Sequence, residues 1–229
     1  LGSSELLERH FPGMETRPDA GYDVAVEFDC DNLANPEETL SEVSQIKRHV
    51  LGGPLNKAFT TLATHGSPAP AVAIKYRKNG MMYICPSDSK VVVIFLVDFL
   101  DPTDQAIARV FLKEFEEAQR TVRTAPPVAF TREPPREIAT MVGTYNTEAA
   151  GFLSFAFEER HVVGTQLNTA VTMLTGFRNY LHYHIKCSKT YLHMRMRKRV
   201  AGWLQILNRA VPEVETEKKG ASGKTFTRK

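Results

Sequence analysis

The sequence predicts an α+β protein. It reads as tandem two-layer domains, each an antiparallel sheet with helices on one face in the order α-β(3)-α-β(2)-α, the first copy incomplete, with a long C-terminal helix. Two observations carry that class. The runs AVAIKYR (71–77), MMYICP (81–86) and KVVVIFLVDF (90–99) are strand-like, and the short turns Lys78-Asn79-Gly80 and Ser87-Asp88-Ser89 join them into an antiparallel meander. Helix-period segments flank that meander, and two further strand runs, PPVAF (126–130) and GFLSFAFE (151–158), precede a final helical stretch.

Taken in order, Ser4 to His10 reads as a short helix. GYDVAVEF (21–28) alternates apolar and polar residues at Val24, Val26 and Phe28, the pattern of a half-buried strand. Asn35 before Pro36, with Glu37 and Glu38 in the first turn, starts a helix. Gly52-Gly53-Pro54 should end it and let PLNKAFTTLA begin another, so the domain boundary is placed there. HGSPAP is a loop. Beyond the meander, Asp101-Pro102 caps a helix to about Arg120 whose buried side is Val110, Phe111, Leu112 and Phe115. The expected divisions are 1–52, the C-terminal part of a first α/β domain; 53–165, a second α/β domain; 166–211, the long helix; and 212–229, a polar basic tail. The piece before Gly52 repeats the end of the later order, helix, strand, helix, which is the basis for a duplicated domain.

The formal charge of +3 hides an asymmetry: from Phe177 onward there are 13 Lys/Arg against 3 Asp/Glu. That C-terminal fifth should meet something acidic. Cys30, Cys85 and Cys187 are odd in number, widely separated and without metal-ligand spacing, which favours a reducing, intracellular setting. No signal peptide opens the chain, which begins at Leu1, and the longest apolar run, VVVIFLV at 91–97, is too short for membrane insertion.

A helix from about Gln166 to Ala210 would be roughly 65 Å long, about twice the width of its domain, so it must leave that domain. Around its axis Leu167, Val171, Leu174, Leu181, Ile185, Leu192, Met196, Trp203 and Leu207 form one stripe. A second band holds Met173, Tyr180, His184, Cys187, Tyr191 and Met194, and the opposite side carries Asn179, His182, Lys186, Lys189, His193 and Arg197 as a basic ridge. One sheet face cannot cover both apolar bands, so a partner helix should cover part of them. His182 and His184 point to different faces, and His184 with Cys187 supplies only two ligands, so no metal site is expected. GKT at 223–225 lacks the first glycine of a phosphate-binding loop, where Lys218 stands. No arrangement that would activate a nucleophile or water appears, so neither an enzyme nor a cofactor is expected. The other reading open to the residues is a basic helix lying on nucleic acid. Against it, the aromatics fall on the packing side rather than beside the charges.

FRNYLHYHIKCSKTYLHMRMR, followed by LNRA at 207–210, Pro212 and the terminal GKTF at 223–226, resembles the p34-Arc family, the larger scaffold subunits of the actin-related protein 2/3 complex. The likeness extends through GYDVAVEFDCDNL, MMYI, VFLKEFEEAQR and TAPPVAFTREPP, while HGSPAPA and the loop from Thr131 to Gly151 match poorly. The resemblance implies a non-catalytic scaffold of two tandem α/β domains, cytoplasmic and in the actin cytoskeleton of the cell cortex and projections. It implies that the long helix pairs with the small scaffold subunit, subunit 4, and that the assembly holds the side of a mother actin filament to support branched nucleation. Nucleic acid and membrane insertion are not expected. On that basis the expected partner-subunit interface is Tyr180, Leu181, His184, Ile185, Tyr191, Leu192, Trp203 and Leu207. The expected filament contacts are Lys186, Lys189, Arg195, Arg197, Lys198 and Arg199.

Overall fold

Val91–Val97 is apolar and buried at every position, which a strand achieves only when both faces of its sheet are covered. In the computed structural model, which describes residues 8, 10–22, 24–31, 35–77, 79–119, 121–122, 124–210, 218–219 and 225–226, this strand lies at the centre of a five-stranded sheet. The elements are β1 (Glu15–Thr16), β2 (Ala25–Val26), α1 (Pro36–Ser44), α2 (Ile46–Ala63), β3 (Val72–Arg77), β4 (Gly80–Pro86), β5 (Val91–Val97), α3 (Pro102–Gln119), β6 (Val128–Thr131), β7 (Gly151–Phe157) and α4 (Thr165–Ala210). The paired two-residue strands β8 (Lys218–Lys219) and β9 (Thr225–Phe226) follow. The large sheet runs β3-β4-β5-β7-β6, antiparallel throughout, and the expected α+β class and β3-β4-β5 meander are observed.

The period of two decides which face each side chain serves. Val91, Val93, Phe95 and Val97 pack with Leu55 and Phe59 of α2, Ala108 and Leu112 of α3, and Leu174, Phe177 and Ile185 of α4. All three helices therefore share one face. Val92, Ile94 and Leu96 join the other cluster, with Tyr83, Phe152, Ala149 and Ile138. Ile138, fully buried, comes from a 3₁₀ turn at Arg136–Ile138 inside the excursion between β6 and β7, so that irregular segment is the second cover of the sheet. Arg109 on α3 fixes its return, donating through Nη2 to the carbonyls of Glu148 (2.8 Å) and Ala149 (3.2 Å).

Three expectations need correction. Gly52-Gly53-Pro54 does not stop a helix: α2 runs through it from Ile46 to Ala63, and the break lies earlier, at Gln45. Both glycines are buried, and a Cβ on Gly52 would stand 2.7 Å from Val171 Cγ1 of α4. Close helix packing thus outweighs the unfavourable propensity of glycine and proline. The 21–28 strand contracts to the two-residue β2, with Tyr22 exposed. On α3, Val110 faces solvent; Ala108 and Leu112 are buried, with Phe111 and Phe115 partly so. Most of the expected helix at Ser4 to His10, apart from Glu8 and His10, which are helical, and most of the tail lie outside the described residues. By contact density the chain divides into Leu1–Lys186 and Cys187–Lys229, a division that α4 crosses.

Candidate functional site

In the first unit, the apolar stripe of α4 is consumed by the protein's own core. Val171, Leu174, Phe177, Leu181 and Ile185 are all buried there, Leu181 at 2% and Ile185 at 0% exposure. These two were expected at a partner interface; they face their own sheet instead, because the helix has not yet outrun its domain. The second band stays open. Met173 and Tyr180 are exposed and border an apolar groove of about 810 Å³ whose wall includes Phe115, Pro126, Phe155 and Phe157. His184 is half-buried, its ring 4.2 Å from that of Tyr180 and 6.1 Å from that of Phe111, so it is packed among aromatics.

The basic ridge is also partly docked within this unit. Lys186 pairs with the carboxylate of Asp104, which is 3% exposed in the first turn of α3. His182 stacks on Phe99, ring centroids 4.5 Å apart. Burial, and then Arg178, Lys186 and Arg77, hold the imidazole of His182 below its usual value, against the pull of Asp104. Lys186 therefore has a structural charge to neutralise, which a count of cations along the helix could not reveal.

Sequence reasoning missed a second basic cluster. Lys47 of α2, Arg77 of β3 and Arg178 of α4 lie near one another around Tyr76. Burial lowers the Lys47 ammonium and the Arg178 guanidinium, and the neighbouring cations lower both further. Burial pushes the Tyr76 phenol up to about 12, so it remains a neutral hydroxyl among them. The three cations come from three elements, so no spacing in the chain marks them. An acidic group would relieve their mutual repulsion.

In the second unit, α4 carries large apolar side chains into solvent. Tyr191, Leu192, Met194, Met196, Val200, Leu204, Ile206 and Leu207 are all exposed, and Trp203 is 65% exposed. Such a density of surface apolar groups marks an association surface. Tyr191, Leu192, Met196 and Val200 line a shallow groove with Arg195 and Arg199. Arg195 donates through Nη1 to the Tyr191 hydroxyl at 2.9 Å and lies 5.6 Å from the ring centroid, so this cation is held one turn from its aromatic partner. Arg197, Lys198 and Arg199 are exposed, whereas Lys189 is half-buried. Of the expected residues, the structure thus leaves Tyr180, Tyr191, Leu192, Trp203 and Leu207 exposed, His184 half-exposed, and Leu181 and Ile185 enclosed.

Among the described residues, these surfaces hold no group placed to activate a nucleophile. The buried Cys85 thiol is pushed up to about 11 by burial and then by Glu137, which leaves it protonated and inert. No helix among the described residues is long and apolar enough to cross a membrane.

The family model described as the Arp2/3 complex 34 kD subunit p34-Arc matches residues 1–214. The chain belongs to the p34-Arc family. Among its relatives, actin-related protein 2/3 complex subunit 2 of Schizosaccharomyces pombe is 34% identical over 251 residues, covering 99% of this chain and 79% of that protein. The protein of the same name from Dictyostelium discoideum is 35% identical over 229 residues, covering 98% of this chain and 78% of its own. Members of this p34-Arc family are structural subunits of a complex, so the chain is not an enzyme.

Proposed function

We propose that this p34-Arc protein is a scaffold subunit of the actin-related protein 2/3 complex, in the cytoplasmic actin cytoskeleton, at the cell cortex and in projections. It pairs with the small scaffold subunit, subunit 4, through α4, and its cations hold the side of a mother actin filament so that a branch can be nucleated. The observation that carries the pairing is the run of exposed apolar residues Tyr191, Leu192, Met196, Trp203 and Leu207. Left in water, side chains of that size forgo roughly 1.5–3 kcal/mol each of burial free energy. The second band at Tyr180 and His184, beside the apolar groove, extends the surface available to a partner helix.

Filament contact falls to Arg195, Arg197, Lys198 and Arg199, with Lys189 at the margin and Lys186 engaged by Asp104. The basic cluster of Lys47, Arg77 and Arg178 is a further surface for an acidic partner. Element order still assigns residues 1–52 to the end of a first α/β domain and 53–165 to a second, and the division falls inside α2, which runs unbroken from Ile46 to Ala63.

Affinity capture of the tagged chain from its native cytosol, with nuclease treatment and mass spectrometry, tests the reading. Recovery of two actin-related proteins together with several small subunits is expected. Recovery of nucleic-acid machinery that disappears with nuclease would overturn it.

A further inference from the structure

We propose that His10, Glu42 and His49 form a binding site for a zinc-type divalent cation, clamping the segment before β1 to the α1–α2 corner. Their ligand atoms converge: His10 Nδ1 lies 2.8 Å and His49 Nε2 3.0 Å from the same carboxylate oxygen, Glu42 Oε2. All three atoms fall within 4.8 Å of one another. Metal–ligand distances of about 2.0–2.2 Å for histidine nitrogen and carboxylate oxygen set tetrahedral edges of about 3.3–3.6 Å between neighbouring ligand atoms. The two observed separations are a few tenths of an ångström shorter, a difference that small side-chain rotations make up.

Two further observations favour a cation over a pair of hydrogen bonds. Glu42 Oε2 is buried, and neither short contact has hydrogen-bond geometry, so the ring nitrogens do not aim their protons at the oxygen. His49 is only 2% exposed, and neither of its ring nitrogens has a hydrogen-bond partner. Two unsatisfied nitrogens on a buried imidazole are costly, and a metal bond is one of the few ways to use the one that faces Glu42. The surroundings suit such a site. Phe11, almost fully buried, presents its ring edge-on to His49 at 6.1 Å, and the His10 ring stacks on His49 at 3.8 Å, which fixes both imidazoles. On the other side a polar cavity of about 530 Å³ reaches His10 and His49 past Gln45, Asn56 and Asn168, giving a cation an entry path and room for water at a fourth position. Arg48, which also borders the cavity, is occupied by Thr172, donating through Nε to Oγ1 at 2.8 Å.

Two nitrogens and one carboxylate oxygen select Zn²⁺, Co²⁺ or Ni²⁺ over Mg²⁺ and Ca²⁺, which require oxygen sets. The three residues lie on three segments, so the ion would act as a cross-link.

The test is calorimetric titration of the chelator-stripped full chain with Zn²⁺ alone, and in parallel with Mg²⁺, for the wild type, His10→Gln and Glu42→Gln. Both replaced residues are about 30% exposed, and thermal unfolding without metal checks that each variant is folded. One Zn²⁺ per chain, weakened at least about 10-fold to 100-fold in each variant, and no Mg²⁺ binding are expected. Should a variant prove unfolded, Co²⁺ added to the wild type decides: one equivalent should give visible d–d bands without thiolate charge transfer. Absence of stoichiometric Zn²⁺ binding, equal binding by the folded variants, or a thiolate spectrum would overturn the site.

Discussion

The ammonium of Lys186, on α4, neutralises the carboxylate of Asp104, buried in the first turn of α3 and 82 residues away in the chain. Replacing Lys186 by Met leaves that carboxylate without its cation. A fully buried broken pair would lose about 3–5 kcal/mol, but the Lys186 side chain is 56% exposed, so solvent screening reduces the expected loss to about 1–3 kcal/mol. Denaturant unfolding of the two proteins measures it. Charge reversal at Lys186 consequently reports on folding before it reports on any filament.

Gly52 and Val171 bring α2 and α4 into close approach. Gly52→Val places methyl groups where a Cβ alone would stand 2.7 Å from Val171 Cγ1. Overpacking of this kind costs about 1–3 kcal/mol, and the β-branched side chain recovers little helix propensity to offset it. The companion change Val171→Ala should restore part of the loss in a double-mutant cycle, since the two residues touch.

His182 sets a direction for pH dependence. Its folded-state pKa lies below the unfolded value of about 6.5, so the unfolded chain binds the proton more readily. The contribution of His182 is fully present above that unfolded value and diminishes as pH falls below it. His161 is lowered too, by burial and by Arg160, and adds to the slope. Unfolding free energy measured at pH 7.5 and 5.5 should be smaller at 5.5, and His182→Phe, which keeps the stack on Phe99, should flatten the difference.

For the filament, the informative cations are the exposed ones. Arg197, Lys198 and Arg199 changed together to Glu should leave thermal unfolding of the chain unaltered and weaken filament co-sedimentation of the assembled complex at least about tenfold. Raising the salt should shrink the difference between wild type and variant, because contacts among exposed charges are screened.

The sheet was legible because local signals agree there. Three strand runs with short turns can only form a meander; the observed bounds of β3 and β5 fall within the expected ones, and β4 begins one residue earlier, at Gly80, a residue expected in the turn. The long helix was legible for the same reason, from its sustained period. What local signals could not carry is tertiary. Gly52-Gly53-Pro54 looks like a stop until Val171 is seen against it. Leu181 and Leu192 share one helical stripe, yet Leu181 is 2% exposed and Leu192 is 42% exposed, because the pattern does not say where the covering domain ends. Lys186 resembles its cationic neighbours until Asp104 is placed beside it. His10, Glu42 and His49 were invisible, since the segment before β1, α1 and α2 bring them together with no ligand spacing.

In the proposed pairing, the exposed apolar side of α4 after Cys187 meets the small scaffold subunit. The most direct test of that pairing is sedimentation analysis of the two chains co-expressed, with Leu192→Asp and Trp203→Asp introduced together in this one. Both residues are exposed, so the variant should fold as the wild type does. A 1:1 heterodimer for the wild type and separate chains for the variant are predicted. An intact heterodimer in the variant would contradict the account.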